Sequence, residues 1–146
     1  MADTVALLNA RLAECLDLSL QARHACWNVR GPNSVALRDL FGCLHEDLDR
    51  LADSLAARVI ELGEIAEGSF FSAGARSTLT VFPRCTEGSK HVLGIATSLA
   101  NWRSLLRSSM ARAREFGDRD TAEILTSTSR SVDRWSSLVE PYIGAA

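Results

Sequence analysis

Residues 37–62 read LRDLFGCLHEDLDRLADSLAARVIEL, and their apolar positions decide the architecture. Leu37, Phe41, Leu44, Leu48, Leu51, Leu55, Val59 and Leu62 alternate steps of three and four. That period lays one apolar stripe along a helix and leaves Arg38, Asp39, Glu46, Asp49, Arg50 and Asp53 off it. Three other segments repeat the pattern. One carries Val5, Leu8, Leu12, Leu16, Leu20 and Trp27. Another carries Val92, Ile95, Leu99, Trp102, Leu106, Met110 and Ala113. The last carries Thr121, Leu125, Thr128, Val132, Trp135, Val139 and Tyr142. No segment sustains a period of two, so the fold class is all-α without a sheet.

The punctuation agrees with four long helices. Gly31, Gly63 and Gly117 fall where the first three should end, as residues able to take the left-handed conformation. Asn33 or Ser34, then Ser89, then Asp118 or Asp120 are the expected N-caps, and Ala73 to Leu79 is the expected place for a short helix. Pro141 closes the last long helix. The first and third connections are a few residues long. The middle one, Gly63 to Gly88, is about 25 residues and can run the roughly 38 Å length of such a helix. Four helices with one long crossover form a ferritin-like bundle, here expected as one domain over residues 1–146.

Composition narrows the function classes. The 146 residues are 47% hydrophobic and 23% charged, enough apolar material for a full core. No apolar run approaches the roughly 18 residues of a membrane helix, and Met1 to Ala10 lacks the features of a signal peptide, so a cytoplasmic protein is expected. Sixteen basic residues face eighteen acidic ones, for a net charge of −2. Lys90 is the only lysine; the other basic residues are arginines. Cys15, Cys26, Cys43 and Cys85 contain no CxxC pair, and free thiols are expected.

The stretch Cys26-Trp27-Asn28-Val29-Arg30-Gly31-Pro32 resembles the HWNxRGP signature of the Dps family, the dodecameric mini-ferritins. Leu8-Asn9 and Leu16 to Gln21 resemble the family's first helix, and Ala57 to Gly63 resembles the end of its second. Gly117 to Thr126, followed by Ser129-Arg130 and Asp133-Arg134, resembles its last. The resemblance implies a hollow twelve-subunit shell with two-fold and three-fold interfaces that oxidises Fe(II) and stores iron, with oxidative-stress protection as its role.

The resemblance also places the iron ligands, and most are replaced. The family's ferroxidase site lies between two subunits and takes two histidines and an aspartate from one, an aspartate and a glutamate from the other. Imidazole and carboxylate suit Fe(II) while leaving positions open for an oxidant. At the five matching positions stand Cys26, Arg38, Gly42, Asp53 and Ala57, so Asp53 alone is retained. The family geometry would bring Arg38 of one subunit to Asp53 of another, where a guanidinium–carboxylate pair takes the place of iron.

Other chemistry stays open at this point. His45, Asp49 and Asp53 recur every fourth residue, with Glu46 beside them, which suits either a relocated metal site or a polar stripe. Asp118, Asp120 and Glu123 match the family's acidic pore, or serve the start of a helix. Neither end carries a basic tail, and a shell of twelve would hold a charge of about −24, so DNA binding is not expected. Three functions remain in contention. They are a shell with a degenerate ferroxidase centre, an active ferroxidase relocated around Asp53, and a structural subunit in mixed cages with an active paralogue.

Overall fold

The computed structural model describes residues 1–145. Its helices are α1 (Ala2–Asn28), α2 (Ser34–Glu61), α3 (Phe70–Arg76), α4 (Gly88–Glu115) and α5 (Arg119–Val139), with a 3₁₀ turn at Glu140–Tyr142. The four long helices form the expected bundle. Among the described residues there is no strand, only one isolated bridge between Arg30 and Glu87.

Backbone chemistry sets the ends. Gly31, Gly63 and Gly117 have φ of 108°, 82° and 74°, where a β-carbon would be strained. Asp118 caps α5: its carboxylate accepts from the Thr121 amide at 3.0 Å. Two ends differ from expectation. Helix α4 starts at Gly88 with Glu87 as N-cap, because the bridge to Arg30 fixes the chain just before it; Ser89 lies inside the helix. Helix α3 covers 70–76 rather than 73–79, because Ser69 accepts from the Ser72 amide and starts it early.

The core is one cluster drawn from all four long helices. Trp102 and Phe41 are its largest fully buried side chains, each contributing about 1.5–3 kcal/mol by burial. The stripes of α2, α4 and α5 point inward as expected. On α1 the core face is instead Leu8, Leu12, Cys15, Leu18, Ala22 and Ala25. Leu20 and Trp27 lie outside, 50% and 71% exposed, because their spacing drifts around the helix.

The crossover runs alongside α1 and is tied to it at intervals. Asn9 donates to the Ile65 carbonyl at 3.1 Å and accepts from the Glu67 amide at 2.9 Å. Ser77 donates to Asp17 at 2.6 Å, and the Arg30 amide donates to the Thr86 carbonyl at 2.9 Å. Crossover residues 65 to 86 thus track residues 9 to 30, α1 and the turn after it, in the same direction. The crossover delivers α4 to the end where α2 began, so α2 and α4 are parallel.

Candidate functional site

The last turn of α1 and the first turns of α2 meet at the corner where an intersubunit iron site is expected. The Cys26 thiol donates to the Arg38 carbonyl at 3.4 Å. A β-carbon on Gly42 would lie 3.7 Å from the same sulfur. Positions 26, 38 and 42 therefore do converge in space. What converges is a thiol, the Arg38 backbone carbonyl and the bare backbone of Gly42. Arg38 donates from Nη2 to the Val29 carbonyl at 3.0 Å, placing a cation on the C-terminal end of α1, where the helix dipole favours it. Asp53 and Ala57 stand exposed further along α2.

His45 and Asp49 sit midway along α2, facing α1. Arg23 donates to His45 Nε2 at 2.7 Å. A guanidinium can only donate, so its bond uses Nε2 as the acceptor, although the Asp49 carboxylate also lies 3.3 Å from that nitrogen. Nδ1 lies 3.0 Å from the Ser19 carbonyl, which accepts from it, and 2.8 Å from Ser19 Oγ. Ser19 in turn donates to Asp49 at 2.6 Å. The lone pair a metal would need on His45 is already used, and the group using it is a cation. Glu46 is exposed. No three His, Cys, Asp or Glu side chains among the described residues converge as a metal site requires. The Ser19 and Arg23 partners escaped the sequence reading. Their i, i+4 spacing on α1 matches that of His45 and Asp49 on antiparallel α2, and that was the available signal.

A groove of about 450 Å³ opens beside this network, walled by Leu16, Leu20, Phe70 and Ala73. Phe70 and Phe71 of α3 are 78% and 84% exposed. An apolar face therefore borders the polar one along α1 and α3.

The other thiols do little chemistry here. Cys15 is buried and donates to the Leu48 carbonyl at 3.2 Å; burial pushes its pKa far up. It is not a thiolate partner for Cys26. His24 turns away from Cys26, with its ring edge-on to Phe82.

Residues 5–134 match the ferritin-like domain family. The DNA protection during starvation protein of Agrobacterium fabrum is 30% identical over 95% of this chain and 86% of that one. The chain belongs to the Dps family. Its fold agrees: the Dps of Staphylococcus aureus superposes with a TM-score of 0.93 at 21% identity, covering 98% of this chain and 96% of that one. The Dps of Vibrio cholerae O1, described as a member of a broad superfamily of ferritin-like diiron-carboxylate proteins, gives 0.92 at 20% identity, over 97% and 89%.

Of the three acids at the start of α5, Asp118 is committed to structure. It accepts from Thr121 Oγ1 at 2.7 Å and pairs with Arg58 of α2 at 3.0 Å. Arg58 also holds Glu61 at 2.9 Å. Asp120 and Glu123 remain exposed, with Arg119 between Asp118 and Asp120. Burial works against the Asp118 charge, but the bonds from Thr121 and Arg58 outweigh it and hold its carboxyl below the usual range. A depressed folded value stabilises the fold above the ordinary carboxylate pKa near 4, and the effect is lost as pH falls through the folded value. Asp118→Ala is therefore expected to cost about 1–2 kcal/mol at pH 7, chiefly the lost cap. Denaturant melts of variant and parent should draw together as pH falls below about 4.

Proposed function

We propose that this protein is a Dps-type shell subunit whose intersubunit ferroxidase centre has been lost. The residues at the ligand positions do not fit iron as substrate. The observation that carries this is the convergence of Cys26, Arg38 and Gly42 in one corner without an imidazole or carboxylate among them. These residues complete no coordination sphere, and the Arg38 guanidinium, held on the Val29 carbonyl, adds a positive charge to the end of α1 that opposes Fe(II). On assembly, Arg38 would reach Asp53 of a second subunit, and the exposed Leu20, Trp27 and Phe70 would be covered by that neighbour. The role left to such a cage is sequestration of iron or protection from oxidants without rapid Fe(II) oxidation of its own. The net charge of −2 per chain opposes binding to DNA phosphates.

A relocated site around Asp53, Asp49, His45 and Glu46 is disfavoured by the hold of Arg23 on His45. A mixed cage draws support from Asp53 itself. It is the one retained ligand, exposed on α2, and it could serve a paralogue's site across the interface. The test is Fe(II) oxidation by the purified homo-oligomer. Ferric absorbance should rise no faster than in a protein-free control; a clear acceleration would overturn the proposal.

A further inference from the structure

His91, in the first turn of α4, is completely buried, and neither ring nitrogen has a hydrogen-bond partner. Buried polar groups are ordinarily bonded, so this one needs an explanation. Its surroundings are aromatic. Phe82 of the crossover stacks on it with centroids 5.6 Å apart and planes 26° from parallel. His24 of α1 lies 6.1 Å away and Phe41 of α2 6.4 Å away. Phe82 also meets His24 edge-on at 5.6 Å, so one phenyl ring covers both imidazoles.

The covering ring is held by shape. A β-carbon at Gly94, one turn beyond His91, would lie 2.7 Å from Phe82 Cε1, so only glycine lets the ring lie flat on α4. On its other side the strap Thr80 to Pro83 borders a groove of about 260 Å³ lined by Leu93 and Thr97. Val81 is 91% exposed. The strap is thus pinned by Phe82 and loosely packed beside it.

We propose that His91, Phe82 and His24 form an acid-sensitive latch that holds the crossover against α1 and α4 and releases it when His91 takes up a proton. The closed latch offers an imidazolium no acceptor within hydrogen-bond distance, and the Cys85 backbone supports it only weakly. The titratable groups facing His91 are His24 from α1 and Cys85 from the crossover; α2 presents only Phe41. On its own helix, Glu87 at the N-cap is paired with Lys90 at 3.3 Å. The nearest ionisable ring, His24, would add repulsion if charged. Burial, with a smaller contribution from His24, lowers the pKa of His91, against weak support from the Cys85 backbone. A base whose pKa is lowered in the closed state binds its proton more readily once open. Closure is therefore fully favoured above the open-state value near 6.5 and weakens as pH falls below it. Because α4 is anchored in the core, hydrating His91 requires Phe82 to lift, and the strap moves with it.

Hydrogen exchange of the assembled protein tests this. Corrected for intrinsic rates, protection of the two amides whose bonds tie down the strap, Arg30 donating to the Thr86 carbonyl at 2.9 Å and Leu79 donating to Ser77 Oγ at 3.3 Å, should fall by up to about tenfold per pH unit below 6.5, while α2 amides keep theirs. His91→Phe, which fills the space without a proton site, should keep the strap protected down to pH 5. Gly94→Ala, which displaces Phe82, should show low protection already at pH 7.5. The proposal is overturned if strap protection in the parent is flat from pH 7.5 to 5. It is equally overturned if His91→Phe loses protection as the parent does, or if Gly94→Ala protects the strap as the parent does.

Discussion

Replacing Cys26 by His, Arg38 by His, Gly42 by Asp and Ala57 by Glu together should give a protein that oxidises Fe(II) clearly faster than buffer. A gain of at least about tenfold corresponds to about 1.4 kcal/mol of barrier. The backbone can accept the changes. A β-carbon at position 42 meets only the Cys26 sulfur, at 3.7 Å, which is ordinary contact. Losing a glycine inside α2 also favours the helix by about 0.5–1 kcal/mol. Position 57 is exposed in the subunit, so a longer side chain meets no intrachain obstacle. The informative control keeps Arg38 and makes the other three changes. It should stay at the buffer rate, because a guanidinium in the site repels the metal and can pair with the restored carboxylates. If that triple variant is as active as the quadruple one, Arg38 does not block the site.

The second large effect is on stability. Glu14 is fully buried on α1, bound in two-point fashion by Arg11 at 2.7 and 3.0 Å. Arg11 extends the contact to α4 through Ser109 at 2.9 Å and the Leu105 carbonyl at 3.3 Å. Burial raises the pKa of Glu14, and Arg11 counters part of that. Removing one partner of such a pair strands the other charge. Glu14→Ala should cost about 3 kcal/mol. The thermal midpoint should then drop by roughly 10 °C for a chain of this length. Replacing both, Arg11→Met with Glu14→Leu, should recover most of the loss, since apolar packing substitutes well for a buried pair. A midpoint unchanged in Glu14→Ala would mean that water reaches Arg11 and the pair is effectively a surface contact.

Much of the fold could be read from residue spacing, because burial of a stripe is a local property of one helix. The α2 stripe from Leu37 to Leu62 and the three left-handed glycines needed no tertiary information. Helix α1 was harder. It carries apolar residues on two faces, and Leu16, Leu20 and Trp27 mark the outward one, so counting apolar positions mixed core with surface. Helix α3 was misplaced because Phe70 and Phe71 are exposed and carry no core period; only Ser69 marks its start. At the site, the match to the family positions located Cys26, Arg38 and Gly42, which the fold does bring together. The hold of Arg23 on His45 and the buried ring of His91 depend on how neighbouring helices are rotated. No pattern along one helix specifies that rotation.

The proposed loss of the ferroxidase centre is tested most directly by mixing the purified protein anaerobically with Fe(II), adding oxygen or hydrogen peroxide, and following ferric absorbance beside a protein-free control. The expected result is equal rates, unchanged by Asp53→Ala. Acceleration that disappears in Asp53→Ala would contradict it, showing that iron is oxidised at a site rebuilt around the one ligand this chain retains.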